Sequence, residues 1–253
     1  MLHSCIRSIL CLALATVLPI PVWAADGEIR VIKVQGQVDV LDAQGQVRER
    51  ARVGTVLGAG ETLRTAEDSK AAIRSKAGDT FILDAAAAAR VRNEKNTLQQ
   101  LIGKIMYLFT PGLHVERTVQ VQTAVMGIRG TTFVVNAEQD KAAVGLREGV
   151  LEVSSTDEGF NVYQRRETDE FEAFKQRDRE KVREMKKEYE KYRAQVKEEF
   201  VAFKKSFQLN ANQSLSIAGD KAVISSLDED AIKTMRRLEE FISDAPPEPA
   251  GQQ

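Results

Sequence analysis

Short apolar runs of period two dominate residues 27–153, with turn residues between them every ~8 to 12 positions, the pattern of an all-β sandwich, barrel or solenoid. Val38 and Val40 alternate with Gln37 and Asp39 before a turn at Gln44-Gly45. Glu67-Asp68-Ser69 and Gly78-Asp79 are further turn candidates, flanking strand-like runs at 71–74 and 80–83. Val144 and Leu146 precede a turn candidate at Glu148-Gly149, after which Leu151 and Val153 resume the alternation. Residues 36–40 and 149–153 share a glycine followed by alternating apolar and acidic positions, which fits both a solenoid and a sandwich with recurrent glycine turns. Leu98, Leu101 and Ile102 stand at helical spacing, so residues 93–104 read as a short surface helix.

The most specific stretch is 118–135. Val119 and Val121 alternate with Gln120 and Gln122, a strand with one wet face. Beyond Thr123 the alternation stops: Ala124, Met126, Ile128 and Val134 are expected on one face and Val125, Phe133 and Val135 on the other, as in a strand covered on both sides. Gly127 and Gly130 are costly in a strand and point to a bulge or a close backbone approach. Between them Arg129 carries a permanent charge, which either ties neighbouring backbone carbonyls together or anchors an anionic partner.

Residues 123–133 read Thr-Ala-Val-Met-Gly-Ile-Arg-Gly-Thr-Thr-Phe. This resembles the hallmark of the FecR-domain proteins of bacterial cell envelopes, a Thr-Pro or Thr-Ala start followed by Val-x-Gly-Val/Ile-Arg-Gly-Thr-x-Phe. Residues 53–65 upstream and 148–153 downstream are also similar to that family, so the resemblance runs over residues 27–155 with Gly127, Arg129, Gly130, Thr131 and Phe133 as motif positions of structural character. It implies a FecR-like β domain over 27–160 and a role in signal relay across the envelope. At 85–89 it implies a turn and short strand, where five consecutive alanines by themselves favour helix, with Asp84 as a possible cap.

After a polar spacer the character changes. Residues 168–207 contain no glycine or proline and are rich in charge, the composition of a helix. Phe171, Phe174, Asp178, Val182, Met185, Tyr189, Tyr192, Val196, Phe200, Phe203 and Phe207 step by threes and fours, so a long amphipathic helix or helical hairpin is expected over 164–207. About 40 residues would extend roughly 60 Å, too long for a small domain to cover, and the stripe calls for a fold-back at Asp178 or another subunit. Met185, Tyr189, Tyr192 and Val196 are the candidate partner-binding residues, on a face whose alternative is simple solvation. Residues 208–243 return to strand, with Phe207, Leu209 and Ala211 on one face and Leu215 and Ile217 further on, and the ends of the helical insertion are therefore expected to lie close together. Ser226-Leu227-Asp228-Glu229 has the form of a capping box, opening a short helix with Ile232, Met235, Leu238 and Phe241 or Ile242 as its apolar face. The proline-rich residues 244–253 read as a disordered tail.

At the other end, Arg7, an apolar run of about 12 residues and small residues at Ala24 and Ala25 form a signal peptide over 1–24, implying a periplasmic or secreted product. Cys5 and Cys11 fall inside it, leaving a mature chain with no thiol. A net charge of −1 over 253 residues offers no basic excess for a nucleic-acid backbone. His114 is the single histidine outside the leader, and no nucleophile motif accompanies it, so neither catalysis, metal nor cofactor is expected. What remains is a non-enzymatic envelope binding or scaffold protein, mainly β with an α-helical appendage, using a protein partner or self-association through the long helix. The alternative is an envelope glycan binder, for which Tyr107 and Phe109 are the aromatic candidates.

Overall fold

The computed structural model describes residues 29–92, 98–110, 117–165, 198–243 and 245, with the backbone alone at 129 and 198–200. The expected signal peptide, His114, most of the expected long helix and nearly all of the tail lie outside the described residues. In chain order the strands are β1 (Ile29–Gln35), β2 (Val38–Leu41), β3 (Val47–Arg50), β4 (Val56–Leu57), β5 (Thr62–Thr65), β6 (Lys70–Ser75), β7 (Thr80–Leu83), β8 (Ala88–Val91) and β9 (Leu98–Leu108). They continue as β10 (Thr118–Val121), β11 (Ala124–Ala137), β12 (Lys141–Ser155), β13 (Phe160–Arg165), β14 (Glu198–Lys204), β15 (Ser206–Asn210), β16 (Gln213–Ala218) and β17 (Lys221–Ser226), followed by one helix, α1 (Glu229–Ile242).

Pairing is mostly antiparallel, and the sheet folds over one core. One wall runs β1–β6–β7, then the C-terminal halves of β9 and β11, then β12. The opposite wall runs β3–β2–β5–β8, the N-terminal half of β9, β10, and the N-terminal half of β11. Strands β9 and β11 cross from one wall to the other, which is how a sandwich closes its corners. A solenoid, built from parallel coils, does not describe this pairing. Gly103 is the corner of β9: its φ is +83°, and a Cβ there would stand 2.5 Å from Cα of Ala87. Only glycine fits.

The long apolar runs now have a cause. Along β6, β7, β9 and β11, Ile73, Phe81, Tyr107 and Phe133 face the main core, while Ala72, Ile82, Met106 and Val134 face the opposite side beneath α1. Met235, Leu238 and Phe241 of the helix close that second cluster. Each such side chain taken from water contributes about 1.5–3 kcal/mol, so this one helix dries the outer face of the sheet. Its N-cap is Asp228, whose carboxylate accepts from the Ala231 amide at 2.7 Å; the cap lies two residues beyond the expected Ser226, and Ile232 stays exposed. The helix sits close because Gly145 of β12 has no side chain: a Cβ there would lie 2.6 Å from that of Ala231.

Several expectations fail on the backbone. Residues 98–104 belong to β9 and not to a surface helix, because their partners on β8, β10 and β11 satisfy the backbone. Ala85 and Ala86 form a turn and Ala88 starts β8, as the family resemblance implied against alanine's intrinsic preference. Gly149, φ +89°, is a kink inside a continuous β12 and not a turn. Residues 164–165, 198–204 and 206–207, given to the long helix, are strand instead. The spacing of Phe203 and Phe207 misled, since Phe203 is exposed on β14 and Phe207 is buried on β15, beyond a break at Lys205. The ends of the intervening segment do meet, since Arg165 pairs with Glu198.

Candidate functional site

Strand β11 carries the glycine-flanked motif, and its ladder with β12 slips twice, between Arg129 and Thr132 and between Thr132 and Phe133. Gly130 sits at φ +57° within that bulge. The slip reverses which side chains point inward: Ala124 and Met126 face the main core before it, Phe133 and Val135 after it, and Val134 faces α1. The expected grouping of Val134 with Ala124 and Met126 is therefore corrected by one inserted position. The bulge lets β11 leave β10 and take up β9, with the Thr131 carbonyl accepting the Phe109 amide at 3.1 Å.

Around this corner the interior is aromatic. Tyr107 stacks on Phe133 with centroids 4.8 Å apart, and Phe81 and Phe109 close the group. The Tyr107 hydroxyl donates to Gln100 Oε1 at 2.9 Å, and Gln100 Nε2 donates to the Gly103 and Val135 carbonyls, so a buried polar pair bolts the β9 corner to β11. Burial without a charged partner pushes the Tyr107 hydroxyl well above its ordinary range.

Beside the aromatics lies a dry ion pair. Arg117 and Asp79 are 3% and 1% exposed, with Arg117 Nε 3.0 Å from Asp79 Oδ2. Asp79 Oδ1 accepts the Thr110 amide at 3.0 Å, and an Arg117 terminal nitrogen donates to the Thr110 carbonyl at 2.9 Å. The guanidinium also stands 5.8 Å from the Phe109 ring centre. Burial raises the Asp79 carboxyl above its ordinary value, and the Thr110 amide, Arg117 and Ser75 offset this only in part. With its neighbours committed to backbone, this pair ties the turn before β7 to the start of β10.

A second place is open. Where the sheet curls away through β16, β17, β13 and β14, a groove of about 430 Å3 remains, lined from β13, β14 and β15 with Gln213 of β16 and Ile224 of β17. Val162, Phe207 and Ile224 form its floor, and Gln164, Gln208, Asn210, Gln213 and Lys204 its rim. Among the described residues no carboxylate lines it. Among the described residues no group of three His, Cys, Asp or Glu side chains could hold a metal.

Residues 61–152 match the model of a family described as FecR protein. This stretch is a FecR domain. No curated protein matches the chain. Among solved structures, two crystal structures of a “putative anti-sigma factor” from Parabacteroides distasonis ATCC 8503 are similar to it. One has 13% identity and a TM-score of 0.46, covering 70% of this chain and 64% of that chain. The other has 12% identity and a TM-score of 0.44, covering 68% and 62%. The chain thus spans less than two thirds of the length of either.

The FecR domain begins inside the first landmark read from the sequence, at Glu61, and takes in the whole central motif. Of the motif positions, Thr131 and Phe133 are buried and Gly130 is exposed at the bulge, while Arg129 is placed by its backbone, opposite Val150. Met185, Tyr189, Tyr192 and Val196 lie outside the described residues. Tyr107 and Phe109, the aromatic candidates for sugar contact, are 0% and 6% exposed and are lost to that role. The FecR domain's Asp79, Arg117 and Gln100 escaped the sequence reading. A lone charged residue beside a turn carries no pattern that distinguishes a buried pair from a solvated surface.

Proposed function

We propose that this chain is a non-enzymatic cell-envelope protein whose FecR domain takes part in signal relay through a protein partner. The observation that carries this reading is the family match over residues 61–152, which spans the glycine-flanked bulge. The relay reading is also supported by the build of the domain. Its interior is filled with stacked aromatics and buried pairs, leaving surface contacts as its means of acting. No described helix is long and apolar enough to cross a membrane. Secretion by a cleaved leader ending near Ala24 or Ala25 is part of the same proposal. In this reading the charged segment 166–197 leaves and re-enters the sheet at one place, the Arg165–Glu198 pair, and presents Met185, Tyr189, Tyr192 and Val196 to the partner. Light scattering and pull-down from envelope extracts, with the full chain and with Tyr189→Ser plus Tyr192→Ser, test it. Loss of self-association or of a captured protein in the variant is expected, and an unchanged profile contradicts the assignment of those residues.

A further inference from the structure

The open groove beside β13 has a chemistry that the relay reading does not use. Its rim carries four carboxamides and one ammonium, Gln164, Gln208, Asn210, Gln213 and Lys204, beside the exposed Val201. Its floor is apolar, with Val162 and Phe207 at 4% and 7% exposure and Ile224 packed on the core. A carboxamide both donates and accepts, which suits a ligand whose groups do likewise. Hydroxyls spaced around a sugar ring are such groups, and the exposed Val201 in the same lining offers apolar surface to the ring's C–H face. Lys204 adds a positive charge with no carboxylate among the described lining residues to neutralise it, so an anionic sugar is preferred over a neutral one and a cationic ligand is disfavoured. The volume lies within the ~300–1,000 Å3 of small-molecule sites.

The rim is also held ready. Gln213 Oε1 accepts the Asn210 amide at 2.9 Å, which fixes its side chain across the Ala211-Asn212 turn and leaves its NH2 as a donor. Asn212 takes φ +62° there, and its amide donates to the Leu146 carbonyl at 2.9 Å, anchoring the turn to β12. Among the described residues, the carboxamides of Gln164, Gln208 and Asn210 have no partner within the protein.

We infer that this groove is a saccharide-binding site for one or two rings of an acidic glycan, with Gln208, Asn210, Gln164 and Gln213 reading hydroxyls and Lys204 the carboxylate. None of these residues belongs to segment 166–197, so the sugar test below reads out separately from the partner contacts above.

The test is NMR titration of the full chain with digalacturonate, with cellobiose as the neutral counterpart, following side-chain NH2 signals. Binding of digalacturonate is expected to shift the signals of Gln164, Gln208, Asn210 and Gln213 and to exceed that of cellobiose. The double variant Gln208→Ala/Asn210→Ala, both exposed positions, is expected to weaken it by about tenfold or more. Lys204→Gln should erase the preference for the acidic sugar. Absence of shifts with both sugars, or an affinity untouched by the double variant, overturns the proposal. So does a pentaglutamate peptide shifting these signals where the sugars do not, since that result assigns the groove to an extended acidic peptide.

Discussion

The corner of β11 and the curl of strands from β13 to β17 are made from the same main core, yet they treat polar groups in opposite ways. At the corner, Arg117, Asp79, Gln100 and Tyr107 are buried and committed to partners inside the fold. At the curl, Gln164, Gln208 and Asn210 line open space with no side-chain partner among the described residues. Buried polar groups with fixed partners rigidify a fold, whereas polar groups around an open floor are available to a ligand. The contrast separates residues whose loss should be felt as stability from residues whose loss should be felt as binding.

The largest expected effect tests the first half. Arg117→Met leaves the Asp79 carboxylate buried without its cation and should cost about 3–5 kcal/mol in urea unfolding. The double variant Asp79→Asn/Arg117→Met should recover most of that, because the raised Asp79 carboxyl shows that the pair does not fully offset its own desolvation. A double variant as unstable as Arg117→Met would show that the site demands charge. Next in size, Gly145→Ala drives a methyl against Ala231 and Leu227 and should cost about 1–3 kcal/mol by thermal melting, through displacement of α1 and not through the aromatic core. Unchanged melting would mean that the helix does not depend on that close approach.

A smaller effect has a definite sign with pH. The folded value of Asp79 lies above its unfolded one, so its penalty is full at neutral pH and is relieved as pH falls toward the ordinary carboxylate value of ~3.9. On acidification from neutral pH, the wild type should therefore gain stability relative to the Asp79→Asn/Arg117→Met double variant, measured by urea midpoints. A difference that shrinks instead reverses the assigned cause. The smallest effect belongs to the groove: Gln208→Ala/Asn210→Ala should change stability by less than about 0.5 kcal/mol, and a larger loss would make these amides structural.

Part of this was open to a reader of the sequence. Gly130 announced a bulge, although Gly127 turned out to be regularly paired; the alternation of Val119 and Val121 announced a half-wet strand, and Met235, Leu238 and Phe241 a helix face, because such patterns express local backbone limits and one-sided burial. The facing of Val134 was not legible, since one inserted residue flips every later side chain and its position depends on the partner strand. Residues 198–207 were misassigned because charged and aromatic residues at mixed spacing satisfy both periods, and only pairing with β13 and β12 decides between them.

Taken alone, the chain's order of residues determined a β-rich domain, its glycine-marked bulge, the FecR motif within residues 61–152 and its closing helix, all features set by short-range sterics and by which faces must be dry. Tertiary structure decided the rest: that Arg117 meets Asp79 across 38 positions of chain, that α1 covers the back of the central sheet, and that four scattered amides share one groove. These are contacts between residues distant in sequence, and only the folding of the sheet onto itself brings them within reach.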